Sequence, residues 1–475
     1  MDRKDNFVNI KHLYNRAGFG ISYQDLHQLS KKRLSKAVDK LFIPAKSDTD
    51  LHTVPEEEFR TQQALLATLG AKKEQTPEEK EQREEITKMR NEKNRQLNID
   101  WVQQMMATEN PLLEKMTLFW HGHFSCRSNN PYYDQQLNNI QRNNALGNFR
   151  TLLTTVSKSP AMLDYLNNQQ NRKGHPNENF SRELMELFTL GRGNYTEGDV
   201  KEAARAFTGW TYNKNSDFEF NEKFHDEKTK VFFGQTGLFN GDDMIDKILS
   251  KPETATFICR KLYVFFVNDV PDEHHVKELA DEFYNQKYDI TAVMKKLFTA
   301  DWFYSRENRG NKIKSPVEFL VNLSREFYVT YNKPQILIQL QSSLGQYLFN
   351  PPNVAGWPGG RNWIDSSSLM LRMKIPSLVL NDGILDFEGK ADPEEEAVIA
   401  LNRKQKPKPV KSYINAQANW DQFLAGLPKN MKPAELASFL LEPAVSTKIS
   451  DLVKQHNHLK NTAIAVTSMP EYQLC

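Results

Sequence analysis

Asn177-Glu178-Asn179-Phe180-Ser181-Arg182-Glu183-Leu184-Met185-Glu186-Leu187-Phe188-Thr189-Leu190-Gly191 is the stretch whose pattern settles the fold class. At about 100° per residue, Phe180, Leu184, Leu187 and Leu190 fall on one apolar stripe of a helix. Glu183 falls between Leu187 and Leu190, Glu186 lies at the stripe's edge, and Arg182 points away. A carboxylate inside an apolar stripe must be paired, protonated or bound to a cation, because an isolated buried charge is strongly unfavourable. Glu183 therefore has two readings. It is a general acid/base or metal ligand with Glu186 as its neighbour, or it is a structural carboxylate, ion-paired with an arginine from another helix or snorkelling at the edge of the stripe.

The same helical signals extend outward from this stretch. Thr196 with Asp199 approximates a capping box, and Val200, Ala203, Ala204 and Phe207 give the next helix a close-packing face. Further helix starts are marked by Pro111, Pro252 and Ser315-Pro316. Residues 6–43 read as short helices broken at Arg16-Ala17-Gly18-Phe19-Gly20, with Ser22 as an N-cap. Phe218-Glu219-Phe220 and Lys230-Val231-Phe232-Phe233 are aromatic-rich and flanked by polar residues, which suits a small hairpin within 216–236. Between Lys72 and Arg95, fifteen of twenty-four residues are charged with both signs interleaved, which predicts a solvated helix or helical hairpin. The expected architecture is a mainly α, multi-helix globular protein with one small β-hairpin and a projecting charged helical arm. Its segments run 1–54 (N-terminal helices), 55–104 (arm), 105–385 (main helical core), 386–411 (linker or loop) and 412–475 (C-terminal helices).

Composition narrows the function classes. The 475 residues carry 62 Lys+Arg against 60 Asp+Glu, a net charge of +2 that gives no reason to expect nucleic acid or an anionic membrane. Hydrophobic residues make up 39% and charged residues 26%, which fits a globular chain and excludes wholesale disorder. No apolar run is long enough for a membrane span, and the start leads into no apolar segment of a signal peptide. Cys126, Cys259 and Cys475 are too few and scattered for a disulfide framework, so the cytoplasm is the default setting.

Three more groups of residues bear chemistry. His121 and His123 look like a chelating pair with Cys126 nearby, but residues two apart do not face each other on a helix. His123 shares the stripe of Leu112, Met116 and Phe119, so it is the better candidate for a buried site, either as ligand or catalyst or as a core histidine satisfied by its neighbours. His225-Asp226 reads either as a ligand or general base with its orienting carboxylate, or as a turn capped by Asp226. The loop Asn350-Pro351-Pro352-Asn353-Val354-Ala355-Gly356-Trp357-Pro358-Gly359-Gly360 leads into Arg361, Asn362, Trp363 and Asp365. Trp357, Trp363, Arg361 and Asn353 are candidates to stack on and hydrogen-bond a sugar or other planar ligand; the alternative is a loop that folds its tryptophans into the body. No nucleotide-binding, zinc-protease or serine-hydrolase fingerprint is present.

Four segments carry a family resemblance: His12 to Gly20 (HLYNRAGFG), Trp120 to Phe124 (WHGHF), Asn177 to Gly191 running into Tyr195 to Trp210, and the PPNVAGWPGG loop. Together they resemble a bacterial family catalogued as domain of unknown function 1800, over nearly the whole chain. The resemblance includes the His-Asp pair at His225-Asp226. It implies a bacterial source and a mostly helical protein, and it implies no reaction. Relatives carrying export signals make the periplasm the alternative compartment. The functional expectation is an enzyme with a metal-assisted or acid/base, hydrolytic site built from Glu183, His123 and His225. A divalent metal is the candidate cofactor, with His123, Glu183, Glu186, His225 and Asp226 as candidate ligands. The alternative is a glycan- or protein-binding module that uses the Trp-bearing loop, and a helical scaffold is the third class.

Overall fold

The computed structural model describes residues 3–44, 49–70, 76–381, 415–456 and 458–475, and over them the chain is mainly α-helical. The segment expected as a linker, 386–411, lies outside the described residues. Helices start where side chains can satisfy the first free amides. Ser22 accepts from the Asp25 amide to open Tyr23–Leu29. Reciprocal capping boxes open Pro77–Ala107 (Thr76 with Glu79), Glu197–Ala206 (Thr196 with Asp199) and Pro316–Glu326 (Ser315 with Glu318). No helix among the described residues is long and apolar enough to cross a membrane.

The helix Pro111–His123 sits deep in the fold, with Leu112, Met116, Phe119 and Trp120 buried alongside Glu114, Lys115, Thr117, His121 and His123. A helix enclosed on nearly every side must satisfy each polar group internally. Glu114 takes the guanidinium of Arg142 (3.0 and 3.3 Å), the indole N–H of Trp101 (2.9 Å) and the amide of Gln104 (2.9 Å). Lys115 pairs with Glu318 and donates to the Gly18 carbonyl at 3.0 Å. That carbonyl belongs to the two-glycine turn, where Asn322 donates to the Phe19 carbonyl and a Cβ on Gly20 would collide with the same amide.

The charged arm is one 31-residue helix, Pro77–Ala107, and it passes through the segment boundary expected at 104. Its described first half, 76–96, is largely exposed, with Ile86 buried and Arg83, Arg90, Lys93 and Asn94 half-buried, while Leu97, Trp101, Val102 and Met105 enter a core shared with Leu118, Val317 and Val321. The helix Glu56–Leu69 lies beside it, tied by Lys93–Glu58 at 2.8 Å. The C-terminal helices share the main core, where Leu436, Val453 and Ala463 join the same cluster as Ile10 and Leu13. There Lys11, His12 and Asn15 from the first helix converge on Glu442.

The two segments expected to pair as a single hairpin are both strands, but they belong to different hairpins. Phe218–Phe220 pairs with Trp210–Tyr212, and Lys230–Phe232 pairs with Gln235–Gly237. Turn chemistry explains the choice. Asn213 accepts amides from Asn215 and Asp217 to close the first turn, while Phe233 and Gly234, at φ 49° and 73°, form a two-residue turn that suits the twist of the second. A further two-stranded sheet joins Thr330–Tyr331 to Ala416–Gln417.

Candidate functional site

The helix that carries Glu183 does not keep α-helical phase. Asn179–Glu183 is α-helical, but Leu184–Thr189 is a π-helix, closed by the Leu190 amide on the Met185 carbonyl at 2.8 Å. The wider turn advances fewer degrees per residue. Met185 and Phe188 are therefore buried, Leu187 is only half-buried, and Glu183 is half-buried at the edge instead of inside the stripe. The expected burial of Glu183 is corrected by that change of pitch. Burial, and then the neighbouring Glu186, still push its carboxyl above the usual range.

His123 points inward as expected. Its Nε2 donates to the Phe188 carbonyl at 3.1 Å, and Nδ1 faces the Lys261 ammonium at 3.3 Å. That network assigns the proton to Nε2. Burial and then Lys261 hold the imidazole neutral, well below its ordinary pKa. Lys261 also donates to the Leu187 carbonyl at 2.9 Å, so the π turn gives one carbonyl to each cationic or imidazole donor. His121 faces the other way and accepts the Phe349 amide at 3.1 Å, with burial first and Arg142 second lowering its pKa to about 3.

The remaining expected ligands each have their own partner. Asp226 takes a two-pronged bond from Arg205 (2.8 and 3.2 Å), which holds its pKa at about 2. His225 Nδ1 donates to the Thr208 carbonyl at 2.9 Å, and Glu186 pairs with Arg192 and Tyr195. Among the described residues no group of three His, Cys, Asp or Glu side chains stands close enough together to hold a metal ion. His123, Glu183, Glu186, His225 and Asp226 thus do not form the shared cation site read from the sequence. In the loop, Trp363 is buried and Trp357 packs on His121 with ring centroids 5.7 Å apart. Asn353 closes a turn onto the Ala355 amide, and Arg361 is exposed.

Among the described residues, a cleft of about 650 Å³ offers space for a ligand away from these groups. The helix Glu56–Leu69 contributes Gln63, the arm contributes Arg90, the turn before Pro131–Asn143 contributes Arg127 and Ser128, and that helix contributes Tyr133. The helix Pro160–Tyr165 brings Asp164 and Tyr165, and the first hairpin brings Tyr212 and Lys214. Along its lining the Tyr212 hydroxyl donates to Asp164 Oδ1 at 2.7 Å, and Tyr212 packs edge-on against Tyr133. Burial raises the Asp164 pKa against the opposing Tyr212 bond, and burial followed by the Asp164 contact raises the phenol. Next to Tyr133 in sequence, Asp134 is 3% exposed, with burial holding its carboxyl well above the ordinary value. Glu183 lies near enough for its charge to raise the Tyr165 phenol, after burial and Cys126. Sequence reading missed Asp164, Tyr212, Arg90 and Arg127 because no local spacing links four separate elements.

Fold and cleft together define a mainly α-helical protein with a polar, tyrosine-lined cleft that holds a half-buried carboxyl. A family model described as "Protein of unknown function (DUF1800)" matches residues 12–474, and the chain belongs to that family. No curated protein and no solved structure matches the chain.

Proposed function

We propose that the protein is an enzyme performing acid/base, hydrolytic chemistry in this cleft, with Asp164 as the proton-transferring group and Tyr212 as its orienting partner. The observation that carries this reading is the half-buried Asp164 carboxyl, raised by burial and held by Tyr212 at 2.7 Å on the wall of a ligand-sized cleft. A carboxyl tuned upward retains its proton closer to neutral pH and can deliver it to a leaving group. A single carboxyl lining the cleft also supports a second reading, a glycan- or protein-binding module without catalysis. The proposed setting is a bacterial cytoplasm, supported by three buried cysteines with no disulfide among them.

The test is a panel of chromogenic glycosides, phosphate esters and carboxylic esters, assayed with the native chain and with Asp164→Asn at matched melting temperature. The enzyme reading expects turnover of at least one substrate that falls by about a hundredfold or more in the variant. Equal rates in the two proteins, or no turnover of any member, favour the binding module.

A further inference from the structure

We propose that the cleft receives a hydroxyl-bearing ligand with one anionic group, a phosphate, sulfate or carboxylate, held by Arg90, Arg127 and Lys214 beside Asp164. This rests on the cleft being the working site, but it does not require Asp164 to perform chemistry.

The charge balance of the walls carries the argument. Three cations line the cleft and Asp164 is its one carboxyl. Arg90 is the most informative of them. Its Nε donates to Gln62 Oε1 at 3.3 Å, while its Nη2 is buried without a hydrogen-bond partner among the described residues. No carboxylate pairs with it there, although acids are abundant on the same helix. Two cations nearby are paired with carboxylates, Arg60 with Glu56 on the adjoining helix and Lys93 with Glu58. At helical spacing Arg90 has only Ile86, Thr87, Lys93 and Asn94 as neighbours, none of them acidic. Burial also disfavours its charge. A guanidinium on the cleft wall with no carboxylate partner among the described residues takes its counter-ion from outside the chain, and its planar fork fits a two-oxygen anion. Tyr133, Tyr165 and Tyr212 add ring faces and phenols. Asn129 and Asn130 add main-chain and amide groups suited to hydroxyls.

The experiment is calorimetric titration of the full chain at low salt with paired probes: glucose 6-phosphate and glucose, glucuronate and glucose, galactose 6-sulfate and galactose. At least one charged member should bind about tenfold tighter than its neutral counterpart, and the preference should shrink as salt is raised. The preferred pair distinguishes phosphate, carboxylate and sulfate. Arg90→Gln should remove the preference. Lys214→Gln, at an exposed position that folding tolerates, should weaken it about two- to fivefold. Asp164→Asn should keep it, so a failed catalytic reading and a failed anion site give different results. Equal affinity within all three pairs, or an undiminished preference in both cation variants, overturns the proposal.

Discussion

Lys261 and His123 meet inside an aromatic surround, the ammonium 3.3 Å from the imidazole Nδ1, and each also holds one carbonyl of the π turn. Four groups thus satisfy one another at the end of the helix, where the last carbonyls have no amide of their own helix to accept from.

Burial lowers the Lys261 pKa to about 8. Between about pH 8 and 10 the unfolded chain, with its lysine near 10.4, binds more protons than the folded one, so this group's contribution to stability rises with pH across that window. It is constant below. Melting temperatures of native protein and Lys261→Met at about pH 7.5 and pH 10 should therefore diverge in favour of the native protein at high pH. A divergence in the opposite direction contradicts the assignment.

Burial pushes the Glu318 carboxyl up, but Lys115 and the Ser315 donors prevail and hold it at about 2; Glu442 is held at about 2 against burial by Lys11, His12 and Asn15. Folded values below the unfolded one contribute stability that is present above about pH 4.3 and lost as pH falls toward 2. Lys115→Met strands Glu318 and should cost about 3–5 kcal/mol at neutral pH in urea unfolding. The loss should diminish as acid neutralises the stranded carboxyl.

Glu114 and Arg142 form a pair that is almost wholly enclosed. Glu114→Leu leaves the guanidinium without its counter-ion and should destabilise by about 3–5 kcal/mol. Glu114→Leu with Arg142→Leu should lose less than the sum of the two single changes. Additive losses in a double-mutant cycle would show that the two side chains do not interact.

Gly356 stands at φ 79°, and a Cβ there would lie 2.5 Å from the Gly122 carbonyl oxygen and 2.6 Å from Ser125 Oγ. Gly356→Ala should cost about 1–3 kcal/mol and alter the fluorescence of Trp357, which rests on His121. Unchanged stability and an unchanged spectrum would show that the loop moves freely away from the body.

Residue chemistry that acts locally was readable from the sequence. Ser22, Thr196 and Ser315 cap helices because their partners lie three residues ahead. The solvated half of the arm followed from charge density alone. The pairing of Phe218–Phe220 did not, because the turn at Asn213 to Asp217 outweighs the attraction of a more distant aromatic strand. The position of Glu183 depended on a constant helical pitch, and the π turn beginning at Leu184 breaks that assumption. Asp164 and Arg90 meet only through tertiary packing, so neither has a signal in its own neighbourhood.

The clamp of His12 on Glu442 joins residues 430 positions apart. At ribosomal rates of about 5–20 residues per second, the first helix waits roughly 20–90 s before its acidic partner has been synthesised. Throughout that time Lys11 lacks the Ser438 and Leu441 carbonyls, and both Lys11 and His12 lack the Glu442 carboxylate, against which they are buried in the finished fold. Such a distant closure also slows folding, since the intervening chain must be ordered before the contact rewards it. The nascent N-terminal segment is therefore the stretch most in need of a holding chaperone, and ribosome-bound chains halted before Glu442 should remain susceptible to protease there.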